Sequence, residues 1–225
     1  MKIKFNGLII SFVVFVTIIM TLYSAICYQV IGNLLFSSQS DRLISAAKLA
    51  AEQTDPELLE SLQIGDNNSE AYYAEKEKLT KIKDVTNLKY IYSMRYYDKN
   101  NVEFVVDTDD SSGHEDIGNM YEIYDTIQHE LDTEDVAVDS DIMHENGEYL
   151  LSGFAPVFNS KGDMVGFIGA DVNVDLMVDQ REQYLSLFVV IGLIGISVAM
   201  LVGYVSTISE KKKINKLFLE ANEKQ

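Results

Sequence analysis

Phe154-Ala155-Pro156-Val157-Phe158-Asn159-Ser160-Lys161-Gly162-Asp163-Met164-Val165-Gly166-Phe167-Ile168-Gly169-Ala170-Asp171-Val172-Asn173 decides how this chain folds. It reads as two apolar strands joined by a polar turn, because Asn159, Ser160, Gly162 and Asp163 reverse a chain at low steric cost. Side chains alternate along a strand, so Val165, Phe167, Gly169 and Asp171 share one face and Met164, Gly166, Ile168 and Ala170 the other. A carboxylate among apolar neighbours costs free energy unless it is partnered. Asp171 therefore either caps the turn into a helix expected from about residue 174, or meets a donor or a cationic group.

Outward from this pair, the same character runs back to residue 90. Residues 90–97 (YIYSMRYY) and 102–108 (VEFVVDT) flank Asp98-Lys99-Asn100-Asn101, which predicts a hairpin. Strands are also expected over 136–143, 149–158 and 164–172, with the turn His144-Glu145-Asn146-Gly147 between the first two. The result is an antiparallel sheet of about five strands. Between its second and third strands a loop over 109–119 leads into an expected helix over 120–131. The segment before the sheet is helical in pattern. Residues 32–53 place Leu35, Phe36, Leu43, Ile44, Ala47 and Ala50 at helical spacing, as a stalk. Thr54-Asp55-Pro56-Glu57 predicts a new helix start, with Thr54 and Glu57 as a capping box, and residues 69–84 a further helix.

Two uncharged apolar runs, 5–31 and 184–209, bracket this α+β segment. Each exceeds the roughly 20 residues that a helix needs to cross a hydrocarbon core. Lys2 and Lys4 precede the first run and Lys211, Lys212, Lys213 and Lys216 follow the second, so the positive-inside rule puts both termini in the cytoplasm. The expected organisation is a first span within 1–31, an extracellular domain over 32–183, a second span over 184–209 and a cytoplasmic helix over 210–225. Of the 18 basic and 35 acidic residues, 11 and 32 fall in the outer domain, which carries about −21. That charge argues against nucleic acid as a partner. Cys27 is the single cysteine, which rules out an intrachain disulfide, and Ile26 before it does not fit a lipoprotein signal.

The strand pair ending in Gly166-Phe-Ile-Gly-Ala-Asp171, with the YIYSM strand, the VVDTD strand and the loop His114-Glu-Asp-Ile-Gly118, resembles the extracellular Cache domains, a PAS-like sensor family. The resemblance covers about residues 32–183 and, with two flanking spans, the family's whole sensor module, as in the input halves of bacterial diguanylate cyclases, sensor histidine kinases and chemoreceptors. It implies one α+β domain around a central antiparallel sheet with a long N-terminal helix. It also implies a receptor that binds a small extracellular molecule, which the guanidinium of Arg95 would make an organic acid or an amino acid, and passes the signal to an output outside these residues. The amino-acid-binding subfamily pairs an arginine with tryptophan and tyrosine, and this chain has no tryptophan. The competing expectation is a membrane-anchored dimerisation or docking module with no ligand.

Candidate ligand-binding residues follow from side-chain chemistry. Arg95 offers a guanidinium fork for a carboxylate. Tyr90 and Tyr92 wall one face of the first strand, and Asp107, Asp109, Tyr121, Ser152, Phe154 and Asp171 complete the set. The acidic run Asp107, Asp109, Asp110, Glu115 and Asp116 lacks the glycine and glutamate of an EF-hand, leaving only a looser cation site as a reading. His114, His129 and His144 have no ligand spacing for zinc, and no nucleophile or phosphate-binding motif appears, so no catalytic residue, metal or cofactor is expected. A homodimer is expected through the stalk stripe Leu43, Ile44, Ala47 and Ala50, and through Leu217 and Ala221 of the cytoplasmic helix.

Overall fold

A computed structural model describes residues 2–222 apart from 112 and 146, and gives only the backbone for residues 2–10, 145, 218, 221 and 222. Expectations resting on Ser112, on Asn146 and on the side chains of Lys2, Lys4, Phe218 and Ala221 lie outside the described residues, as do residues 223–225. The chain divides into two compact units, Leu34–Val178, and Met1–Asn33 with Asp179–Gln225.

The second of these units is two helical stretches, the first part of α1 (Lys2–Gln53) and most of α5 (Asp175–Asn222). Both helices are long and apolar enough to cross a membrane. Inside this unit the two stretches are in contact at Gly195 and Met20: a Cβ at 195 would stand 3.4 Å from Met20 Cε, an ordinary van der Waals distance. Arg181 lies with its guanidinium carbon 4.6 Å from the centroid of the Tyr28 ring.

The Leu34–Val178 unit is a sheet with three helices packed on one face and one on the other. After α1 come α2 (Pro56–Ser61), a 3-10 turn over Asp66–Asn68 and α3 (Glu70–Thr86). The cap of α2 sits one residue later than the expected capping box. Asp55 accepts from the amides of Glu57 and Leu58, at 3.0 and 3.3 Å, while Thr54 Oγ1 turns back to the carbonyl of Ala50. Strands β1 (Tyr90–Tyr96), β2 (Asn101–Asp107), β3 (Met120–Glu122), β4 (Ala137–Val138), β5 (Met143–Glu145), β6 (Glu148–Phe158) and β7 (Met164–Asn173) form one antiparallel sheet in the order β3-β2-β1-β7-β6-β4, with β5 on the edge of β6. Helix α4 (Asp125–Thr133) lies between β3 and β4. The sheet has seven strands rather than about five. The expected strand over 136–143 is broken into β4 and β5, and the expected helix over 120–131 begins as strand β3 and turns helical only at Asp125.

Alternation sorts the strands into two faces. On the helix face, Ile91, Leu151, Ala155, Ile168, Ala170 and Val172 pack with Leu43, Ala46, Ala47 and Ala50 of α1, and with Leu59 of α2 and Leu79 of α3. This overturns the expected stalk dimer surface. Leu43, Ala47 and Ala50 are wholly buried in the domain's own core, so three of the four residues that were to meet a partner are already covered, and Ile44 is half-buried. Each such leucine contributes about 1.5–3 kcal/mol of burial. On the opposite face Met94, Val102, Phe104, Ile127, Phe154 and Phe167 form a smaller cluster. Its aromatic rings run in a chain of tilted and edge-to-face contacts from Tyr92 through Phe104, Tyr121, Tyr124 and Phe154 to Phe167, with centroids 5.3–6.2 Å apart.

Candidate functional site

The register of three strands builds a row of functional side chains. Tyr90 of β1 pairs with Asp171 of β7, and Asp171 pairs with Ser152 of β6. In the next row Tyr92 pairs with Gly169, and Gly169 with Phe154, while across β1 Tyr92 also pairs with Asp107 of β2. Residues directly opposite in an antiparallel pair lie on the same face. The alternation read in the sequence for β7 therefore delivers Asp171 to the face where the tyrosines of β1 stand.

Above this row lies a cavity of about 180 Å³, walled by Tyr90, Tyr92, Phe104, Asp107, Asp109, Gly113, Glu115, Tyr121, Tyr124, Met143, Glu148, Leu150, Ser152 and Asp171. Seven of the nine sequence-predicted residues line it: Tyr90, Tyr92, Asp107, Asp109, Tyr121, Ser152 and Asp171. Phe154 lies beneath, buried in the aromatic cluster, with its ring 6.2 Å from that of Tyr124. The loop after β2 supplies Asp109, Gly113 and Glu115. It is fastened from below by Lys76, which donates to the carbonyl of Asp109 and pairs with Asp110 at 2.8 Å, by Lys83 on the carbonyl of Thr108, and by a hydrogen bond between Asn67 and Asp116.

Arg95 is the residue that the structure sends elsewhere. It lies two positions beyond Ser93 on the helix face, paired with Glu103 of β2, and its Nη1 donates to the carbonyls of Leu59, Glu60 and Leu62 at 3.0, 3.3 and 2.9 Å. These are the carbonyls that the end of α2 leaves unpaired. The guanidinium is thus a staple between α2 and the sheet, not a carboxylate receptor in the cavity. Asp171 does not cap the following helix either. Asn173 makes the turn into α5, its Oδ1 accepting from the amide of Asp175, while Asp175 ties the start of the helix to β6 by accepting from the amide of Tyr149.

Among the described residues, five carboxylates and five aromatic rings share the cavity wall, and no lysine or arginine lines it. Tyr92 donates its hydroxyl to Asp171 at 3.3 Å, and Tyr124 donates to Asp139, behind the wall, also at 3.3 Å. Two tyrosine hydroxyls are thereby committed to acids. Desolvation pushes Tyr92 well above the usual phenol range, and the Asp171 charge adds to it. Asp107, almost fully buried, takes the amides of Asp109 and Glu115 at 2.9 and 2.8 Å. Burial nonetheless holds its carboxyl above the usual range. At the rim Lys89 shows the contact in miniature. Its ammonium is 2.8 Å from Glu148 and 5.5 Å from the Tyr90 ring centroid.

Sequence reasoning named Glu115 only in the acidic run read as a looser cation site, and missed Phe104, Tyr124 and Glu148 as wall residues. Tyr124 sits at the N-cap of α4 in a stretch expected to be helical throughout, which hid the turn that aims its ring inward. Among the described residues no three carboxylate, imidazole or thiol groups converge as a metal site would need, so the acidic run after β2 forms no cage.

No family model and no curated protein matches this sequence. Its structural neighbours are sensory ligand-binding domains. They include the ligand-binding domain of the Campylobacter jejuni chemoreceptor Tlp3 in complex with 4-methylisoleucine (TM-score 0.44, 12% identity, covering 75% of this chain and 63% of that one) and the same domain in complex with L-valine (0.43, 13%, 82% and 67%). A third is the ligand-binding domain of the Pseudomonas aeruginosa PAO1 amino acid chemoreceptor PctC in complex with GABA (0.37, 13%, 70% and 60%). The chain spans 63% of the length of the first of these.

Proposed function

We propose that residues 32–183 are the extracellular input domain of a transmembrane sensor, and that the cavity beside Asp171 receives a small organic cation, an amine or a quaternary ammonium. The observation that carries this is the composition of the wall: five carboxylates and five aromatic rings with no lining lysine or arginine among the described residues. A unit charge 4 Å from an opposite charge gains about 4 kcal/mol at an effective dielectric constant near 20, and each ring face adds about 0.5–2 kcal/mol. An organic acid would meet the same terms with the opposite sign. An amino acid would gain them for its ammonium alone, because the one arginine of this strand holds α2 and faces the other side of the sheet. The cavity is smaller than the 300–1,000 Å³ of drug-sized pockets, which favours a metabolite of a few heavy atoms.

Connectivity supports a role in signalling. Strand β7, which carries Asp171, ends at Asn173, and α5, which contains the second apolar span, begins at Asp175. A ligand that draws on Asp171 acts on a strand continuous with that span. Coupling of about 1–3 kcal/mol is the usual scale of such transmission. A thermal-shift comparison of the full-length protein with methylamine, tetramethylammonium, acetate and glycine tests the assignment. A ligand at 100 times its Kd adds about 2.7 kcal/mol of stability. Stabilisation by the two cations, lost in Asp171→Asn, is the expected result. Stabilisation by acetate and by neither cation refutes it.

A further inference from the structure

We propose that Gly169 sets the largest ligand the cavity admits, by seating the ring of Tyr92 as its floor; this rests on reading the cavity as a cation site. Gly169 stands on β7 between Phe167 and Asp171, on the face that looks into the cavity, so any side chain there would project into it. The space is taken instead by its cross-strand partner. A Cβ built on Gly169 would lie 2.0, 2.5 and 2.8 Å from Cε2, Cζ and Cδ2 of Tyr92, well under the 3.0 Å that real Cβ contacts respect. The backbone at 169 is not in the left-handed region, so glycine is needed here for room alone.

Three properties of the site follow from that missing methyl. The Tyr92 ring lies over Gly169, it meets Phe104 at a tilt with centroids 5.3 Å apart, and its hydroxyl reaches Asp171. An alanine at 169 must lift the ring by about 1 Å or more to restore ordinary contact. Phe104 closes one flank, and Phe154, the partner of Gly169 on β6, lies on the other. The ring can then rise only into a cavity of about 180 Å³. Gly153 and Gly166 also admit neighbours on close terms, but those neighbours are Leu43 at the first and the Met94 carbonyl and Leu59 at the second, none of them a wall residue of this cavity.

The test measures tetramethylammonium and tetraethylammonium binding to the full-length protein in nanodiscs by calorimetry. Wild type is expected to prefer the smaller cation. Gly169→Ala is expected to weaken tetramethylammonium at least about tenfold, and Tyr92→Ala in that background to recover part of that loss, because no ring is left to be lifted although its cation contact is gone. Unchanged tetramethylammonium affinity in Gly169→Ala overturns the inference. Should Gly169→Ala fail to fold, Tyr92→Ala alone decides the matter: with the floor removed, preference must move at least about fivefold toward tetraethylammonium, and no movement overturns the inference. Wild type binding neither cation removes the cation assignment and this inference with it, whereas wild type binding tetramethylammonium with Gly169→Ala unchanged removes the size gate alone.

Discussion

Replacing Glu130 by glutamine should flatten the dependence of stability on pH. Glu130 lies on α4, whose N-cap is the cavity residue Tyr124, and it is fully buried with neither carboxylate oxygen hydrogen-bonded. Burial, with a smaller contribution from the Glu134 charge, pushes its carboxyl from 4.5 up to about 8. In the unfolded chain the group ionises near 4.5, whereas the folded protein keeps the proton until about pH 8. Between those values the native state holds more protons, so stability is greatest below pH 4.5 and falls as pH rises through 8. At about 1.4 kcal/mol per pH unit, the loss reaches about 3 kcal/mol at pH 7 and about 5 kcal/mol above pH 8. Glutamine has the same shape and no titration. Denaturant unfolding of wild type and Glu130→Gln at pH 5, 6, 7 and 8 should therefore give curves that diverge by roughly 1 kcal/mol per unit, with the variant losing less. Parallel curves would show that Glu130 finds a partner or water in the folded protein, and the premise of an isolated buried acid would fall.

Three other outcomes are expected. Cation affinity should decline as pH falls toward 5, because Asp107 starts from a raised carboxyl range and loses its charge early; titration calorimetry at pH 7.5 and 5.5 checks this, and equal affinities would remove Asp107 from the wall's electrostatics. Arg95→Ala should lower fold stability by about 3–5 kcal/mol, as loss of one partner of a mostly buried pair does, while leaving cation affinity within about twofold; a large loss of affinity with intact stability would return Arg95 to the ligand. In a Cys27→Ser background, an impermeant thiol reagent should label a cysteine at Asn67 and not one at Lys212 in intact cells, and labelling at Lys212 would reverse the assigned orientation.

How far the site could be read from sequence depended on strand parity. Period-two alternation puts Tyr90 and Tyr92 on one face of β1 and Asp171 with Gly169 on one face of β7, but only the register between the two strands shows that these faces are the same. The same rule separates Arg95 from Tyr90 and Tyr92, since odd and even positions look opposite ways. Chemical suitability for a carboxylate outweighed that geometry, and the acceptors waiting at the end of α2 are not visible in one dimension. The irregular register between Ser93 and Met94 is equally hidden. The stalk stripe was read at its true spacing, but periodicity says that a face is apolar and not what covers it; the sheet does. Three-residue strands such as β3 and β5 carry too few alternations to be told from helix or turn.

The two glycines on either face of β7 act together as a ward in a lock. Gly166 admits the carbonyl of Met94 and the tip of Leu59 on one side, and Gly169 admits Tyr92 on the other. Sliding the strand by one residue would bring Phe167, Ile168 or Ala170 against these obstacles, and every side chain would also change face. Longitudinal slippage is therefore closed to β7 as a way of answering a ligand. Whatever displacement Asp171 undergoes must be shared by β1 and β6 as a rigid panel, and Val174, buried and donating to the carbonyl of Tyr149 on β6, carries it on into α5.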